Sequence, residues 1–380
     1  MNIINNKTIA IIGGGPGGLT LARLLQMQGA NVHVYERDIS KDARPQGATL
    51  DLHDESGLKA LRAAGLMEAF MANYRPGADR LCITDKHANI IMEDNTDKGG
   101  EFARPEIDRG PLQKILLNSL EPGTVIWGSH FVALTPQNNG WQIEFKNGTS
   151  VYADMVIGAD GANSKVRPYI TSIKPFYAGI TVVEGFVFHS ATASPSIHRL
   201  LKGGKIFAMG DERSLIISAK GDGSLVFYTG CKTPENWGSE CGINFTDKAQ
   251  VIAWFKQEFK GWADMWQELF ENAQPRFNLR PQYCMPLDQT WNALPNLTML
   301  GDAAHLMPPY AGEGVNMAML DALELSLCLT GDEYPDTQSA IAAFESEMRE
   351  RTAETGDMTL QSTAALHSPQ AMRFLLNVIS

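Results

Sequence analysis

Gly13, Gly15, Gly18 and Glu36 have the types and the spacing to hold a dinucleotide. Within Gly13-Gly14-Gly15-Pro16-Gly17-Gly18 the three glycines fit G-x-G-x-x-G. The first lets the chain turn sharply, the second clears space for a pyrophosphate, and the third lets a helix lie close to a strand. Glu36 lies 18 residues past Gly18 and 23 past Gly13, where an acid accepts hydrogen bonds from an adenosine ribose.

Those residues need a strand, a tight turn and a helix to position them. The apolar run Ile9-Ala10-Ile11-Ile12 enters the turn, and residues 19–25 leave it with amphipathic spacing. A second apolar strand, Asn31-Val32-His33-Val34-Tyr35, ends at Glu36. The helix N-terminus then presents unpaired N–H groups and partial positive charge to the phosphates. The bland alternative is a glycine-rich turn followed by a solvated glutamate.

The 380 residues carry a formal net charge of −11, which with the lack of a Lys/Arg cluster argues against nucleic acid. No apolar run is long enough to span a bilayer, and the N-terminus lacks signal-peptide features. The five cysteines, Cys82, Cys231, Cys241, Cys284 and Cys328, show neither metal nor disulfide spacing. These features predict a cytoplasmic protein with no membrane partner and no metal.

Two further strand ends have chemical character. Met155-Val156-Ile157 runs into Gly158-Ala159-Asp160-Gly161, placing an acid at the edge where α/β sheets bind ligands; an ordinary β-turn is the competing reading. Leu297-Thr298-Met299-Leu300 runs into Gly301-Asp302-Ala303-Ala304-His305, followed by Pro308-Pro309-Tyr310-Ala311-Gly312-Glu313-Gly314-Val315-Asn316 and a helix to about Thr330. His305 reads better as a packed or capping residue than as a catalytic one. Arg44, in the loop after Glu36, and Arg109, at the mouth of a helix over residues 111–120, can each meet a phosphate or simply face solvent.

The rest of the pattern supplies a second body. Residues 80–93 suggest a hairpin around Asp85-Lys86-His87, and Asn147-Gly148 suggests a two-residue hairpin turn. Residues 178–231 read as a mostly antiparallel sheet. Residues 248–259 and 262–270 read as helices with aromatic anchors, placed to cap a ligand. Residues 55–73 and 337–355 read as helices, and Met372, Leu375, Leu376 and Ile379 form a short apolar face expected to pack on the body. The fold class is α/β: a Rossmann-like domain of residues 1–75, 104–172 and 280–330, an inserted mainly antiparallel β domain of 76–103 and 173–279, and a C-terminal helical segment of 331–380.

The three glycine-rich strand ends, in this order and spacing, resemble the signatures of the single-component (group A) FAD-dependent monooxygenases over nearly the whole chain. Stretches such as Ala48-Thr49-Leu50-Asp51-Leu52-His53 and Gly301 through Pro309 most resemble the TetX-type tetracycline-inactivating members. The resemblance implies non-covalent FAD, NADPH as a transient co-substrate, and O2. It implies FAD contacts from Gly13, Gly15, Gly18, Glu36, Arg37, Arg44, Arg109, Leu112, Asp160, Asp302, Pro309, Gly312, Gly314, Val315 and Asn316. It further implies that the flavin carries the chemistry through a C4a-hydroperoxide, with no catalytic side chain required and no dedicated NADPH domain.

For the substrate, the resemblance points to Glu184, Lys205, Phe207, Val226, Pro309, Tyr310 and Gly312. Val226 stands where the tetracycline-inactivating enzymes place a hydrogen-bonding side chain. A tetracycline is the leading substrate, with another phenolic or polyketide-like compound as competitor, and a monomer is expected. Two other functions fit the same fold: a reductase or dehydrogenase without oxygen insertion, and a non-catalytic binder of flavin and an aromatic ligand.

Overall fold

The computed structural model describes residues 3–43, 49–94 and 104–379. Strand Thr8–Ile12 lies inside a five-stranded sheet, and Ile9 to Ile12 are buried. The strands run, in spatial order, Leu297–Met299, Met155–Gly158, Thr8–Ile12, Asn31–Tyr35 and Val125–Ile126, all parallel. The chain leaves Thr8–Ile12 toward one side and later returns on the other. Its carboxyl end is therefore the switch point where such sheets open a crevice.

Helix Pro16–Met27 covers this sheet together with Gly314–Thr330. Their closeness depends on Gly17, where a Cβ would come 2.8 Å from the Ala318 carbonyl oxygen. Helix Thr337–Leu366 packs on Gly314–Thr330 in turn. A meander of Phe131–Gln137, Gly140–Phe145 and Ser150–Ala153 sits over the opposite face, with Phe145 stacked on Tyr35 at 4.9 Å.

The second body is a seven-stranded sheet in the order Asn278–Cys284, Phe176–Val187, Leu225–Lys232, Arg213–Ala219, Lys205–Gly210, Leu81–Asp85 and Ile90–Asp94. Only the contact of Lys205–Gly210 with Leu81–Asp85 is parallel. Strand Asn278–Cys284 belongs here, so the return to the parallel sheet falls after Cys284 and not at residue 280 as the sequence suggested. The expected 80–93 hairpin is present.

Three local expectations need correction. Helices Lys248–Glu258 and Gln267–Asn272 do not cap the site. Their aromatic residues pack with Phe227 and Ile217 on the far face of the seven-stranded sheet. At Asn147-Gly148 only Gly148 has positive φ (+84°); the Asn147 carboxamide instead accepts from the Thr149 N–H at 3.0 Å. Residues 55–73 form two helices, Gly57–Ala63 and Met67–Met71, separated at Gly65 with φ +69°. The expected 337–355 helix runs unbroken to Leu366, with Gly356 close under Leu287, whose Cδ2 would lie 2.8 Å from a Cβ there.

The near face of the seven-stranded sheet joins the first body through side chains. Thr49 and Ser218 hydroxyls lie 3.2 Å apart, Lys205 pairs with Glu106, and Gly221 N–H donates to Asp108 at 2.9 Å. Helix Ala371–Ile379 packs on this face near Ile83, Met209, Phe207 and Tyr310, as the apolar pattern of the tail suggested.

Candidate functional site: a dinucleotide crevice and a facing sheet

At the end of the first strand Gly13 has φ +115°, and a Cβ there would strike the Ala159 carbonyl oxygen at 2.2 Å. A Cβ on Gly18 would strike the Gly13 carbonyl oxygen at the same distance. Gly15 differs: a Cβ there meets nothing within 4 Å, and no side chain caps the helix that begins beside it. Two glycines thus serve packing and one opens space at uncapped helix amides, which fits a pyrophosphate.

Glu36 is 9% exposed, and its carboxylate is held by backbone: Gly14 N–H donates to Oε2 at 2.7 Å and Asp38 N–H to Oε1 at 2.9 Å. It is therefore fixed at the edge of the crevice, ready to accept further bonds. Arg37 is exposed, and Arg44 lies outside the described residues.

Asp160 adopts the turn reading. Its carboxylate accepts from the Ser164 hydroxyl at 2.6 Å, Lys165 N–H at 2.6 Å and Val166 N–H at 3.3 Å, closing its own loop. Arg167 was missed by sequence reasoning. It is 6% exposed and donates to the carbonyls of Ala303 at 2.6 Å and Asp302 at 2.9 Å, tying the second glycine-rich strand end to the third. Burial lowers its pKa, against the charges of Asp160 and Asp302. Only its position six residues after Gly161 signalled it.

Asp302 keeps an available carboxyl, with no side-chain hydrogen bond among the described residues. Burial pushes its pKa above the ordinary range, opposed by His305, Arg109 and Arg167. Arg109 is exposed and its charge acts on Asp302, so the two share the crevice mouth. Leu112 has its side chain fully buried in the main core, which leaves only its backbone to meet a ligand.

Behind Asp302, Asp321 is fully buried. It accepts from Gly301 N–H at 2.8 Å, contacts His305 Nε2 at 2.5 Å and pairs with Arg351 at 2.6 Å. Burial raises its pKa, but His305, Arg351 and the Gly301 N–H together bring it below the usual range. His305 is the packed residue its setting suggested.

The loop 308–316 follows. Gly312 has φ +75°, and a Cβ would lie 3.1 Å from Asp51 Oδ1. Gly314 is open apart from Asp302 Oδ1 at 3.9 Å from such a Cβ. Pro309 is exposed and Val315 packs partly on the core. Asn316 has its side chain committed to the protein itself. Its fully buried carboxamide accepts from His53 N–H at 2.9 Å and donates to the Asp51 carbonyl at 2.9 Å and the Gly312 carbonyl at 3.3 Å, so it staples this loop to residues 51–53.

The proposed substrate residues share one face. Cross-strand register aligns Phe207, Ile216, Tyr228, Glu184 and Asn278 in one row, and Lys205, Ser218, Val226 and Phe186 in the next. Glu184 is 1% exposed and accepts from Arg280 Nε at 2.8 Å and Asn278 at 3.0 Å. Lys205 pairs with buried Glu106. Val226 is fully buried, so it packs and offers no contact. Phe186, Ile216 and Tyr228 are partly accessible in the same rows; strand alternation from Phe207 and Glu184 could have found them. Tyr310 turns its hydroxyl to His367 Nε2 at 3.4 Å, and Ser214 lies 3.1 Å from the same nitrogen. A family model described as FAD binding domain matches residues 6–181 and 293–354, the segments that build this crevice.

The chain belongs to the FAD-binding flavin monooxygenase family. The unmatched stretch falls mostly in the seven-stranded sheet and its outer helices. Among the family's curated members, the chain is 27% identical to the monooxygenase asqM of Emericella nidulans, covering 84% of this chain and 82% of that one. The fold matches an FAD-containing monooxygenase of Photorhabdus luminescens with a TM-score of 0.78, 25% identity and coverage of 95% and 98%. It also matches the tetracycline destructase Tet(55) with a TM-score of 0.77, at 18% identity and coverage of 100% and 96%. No helix among the described residues is long and apolar enough to cross a membrane.

Proposed function

We propose that this protein is an FAD-dependent, NAD(P)H-consuming monooxygenase that hydroxylates a flat phenolic or polycyclic small molecule, acting as a monomer. The observation that carries this reading is the placement of a partly accessible, largely aromatic face, Phe186, Phe207 and Tyr228 with Ile216, on the sheet that meets the loop 308–316. When bound, FAD supplies the redox chemistry with NAD(P)H and O2. Gly15, Glu36, Arg109 and Asp302 hold it, and Gly312 and Gly314 let the loop approach its ring.

The charged groups on the facing sheet are paired within the protein, Glu184 with Arg280 and Lys205 with Glu106. Binding therefore rests on stacking and apolar contact, with polar groups setting orientation. A tetracycline fits this description, and the likeness in fold to a tetracycline destructase supports testing it first.

The test is the visible spectrum of the purified protein, then NADPH and NADH oxidation with a tetracycline and with simpler phenols, and the product mass. A flavin spectrum and a product heavier by one oxygen are expected. A substrate whose mass changes by hydrogen alone would make the protein a reductase or dehydrogenase, whereas NAD(P)H oxidation that yields only H2O2 would reject the compound tried and keep the class. Failure to retain or rebind FAD would overturn the reading.

A further inference from the structure

We infer that His53 is a positioning residue, a buried cation that clamps the ring-side loop 309–316 to residues 49–54 by bridging two carboxylates. His53 is 2% exposed. Its Nε2 lies 3.2 Å from Asp51 Oδ2, and its Nδ1 lies 3.3 Å from Glu313 Oε1. The carboxylates occupy opposite ring nitrogens, so the three groups bridge two segments and do not converge on a common point. The Nε2 contact has hydrogen-bond geometry and the Nδ1 contact is an ion pair without it; a neutral ring would turn a lone pair toward one of the two carboxylates, so the arrangement favours the imidazolium.

The surroundings agree. Burial works against the charge, but Asp51 and Glu313 raise the His53 pKa to about 9, with Arg104 opposing. Asp51 in turn feels Lys205, and Lys205 pairs with Glu106. Without the imidazolium, Asp51 and Glu313 would be left as partly buried carboxylates without their shared cation. Asn316 bonds the same two segments through backbone, so His53 acts by setting the loop and not by touching the reacting atoms.

The inference rests on the reading that the loop receives a flavin, and two measurements separate them. The first is hydrogen exchange of residues 309–316 in the flavin-free protein, corrected for intrinsic rates, across pH 6–10.5. Protection is expected to fall through about pH 9 in the wild type and to be low throughout in His53→Gln. The second is FAD affinity, expected to weaken about tenfold in His53→Gln and to lose its alkaline break. If the wild type binds FAD and His53→Gln matches it in affinity, loop exchange and pH profile, the clamp is refuted while the flavin reading stands. If the wild type shows the exchange break but binds no FAD, the flavin reading fails and the clamp survives. Should His53→Gln not fold, Glu313→Gln is expected to move the break down by about one pH unit, and an unmoved break refutes the clamp.

Discussion

Gly18 lies so close to Gly13 that a Cβ on it would sit 2.2 Å from the Gly13 carbonyl oxygen, whereas a Cβ on Gly15 would meet nothing within 4 Å. One sequence motif therefore contains glycines with separable duties. Gly18→Ala is expected to lower the melting temperature of the flavin-free protein or prevent folding. Gly15 has φ −75°, which alanine accepts, so Gly15→Ala should melt like the wild type and lose FAD affinity. Full affinity in Gly15→Ala would remove the phosphate from this turn.

Glu36 uses both oxygens on backbone N–H groups, and glutamine has only one acceptor oxygen. Glu36→Gln should leave an amide poorly paired, at a cost of about 1–3 kcal/mol. Urea unfolding reads that cost. FAD titration should show a larger loss than stability alone explains, because the ribose acceptor is weakened too.

Asp321 is a fully buried anion with Gly301, His305 and Arg351 around it. Asp321→Asn should destabilise the protein by about 3–5 kcal/mol, since His305 and Arg351 lose their shared partner. The sign of the pH effect follows from its lowered pKa: its contribution is present above the unfolded value and is lost as pH falls through the folded one. The wild type should therefore lose stability in the acid range more steeply than Asp321→Asn, as urea midpoints at successive pH values will show.

Gly230 makes room for a polar junction. A Cβ there would approach His367 Nε2 and Ser214 Oγ at 2.4 Å and the Tyr310 hydroxyl at 2.6 Å. Gly230→Ala should push the end of helix Thr337–Leu366 away and release helix Ala371–Ile379. Trypsin should then cut at Arg373 faster than in the wild type, with the rest of the chain folded. Unchanged cleavage would show that the junction can repack.

The glycine turn, Glu36 and the parallel sheet were legible in the sequence because each follows from a local pattern: apolar runs of strand length, then glycine, then helical spacing. Placing Glu184, Lys205 and Phe207 on one face required the alternation of a strand and a resemblance. What stayed hidden was the use of polar atoms. Asp160 and Asn316 look like ligand contacts from their neighbours, yet the first closes a turn and the second staples residues 51–53, through partners up to 265 residues away. Arg167 joins two strand ends far apart in the chain, and its place six residues after Gly161 says nothing of that partner. The aromatic helices were misplaced because their apolar spacing says that they bury a face but not which side of the sheet they bury it on.

The parallel sheet takes its outermost strand, Leu297–Met299, against Met155–Gly158, after five of the seven strands of the second sheet have been threaded between them. During synthesis the first body therefore cannot be completed while the ribosome is still making the second. Strand Met155–Gly158 must wait with an open edge through that interval, a species prone to pair with other chains. Nascent chains stalled before Leu297 should bind chaperones, and release should follow once the 297–330 region emerges.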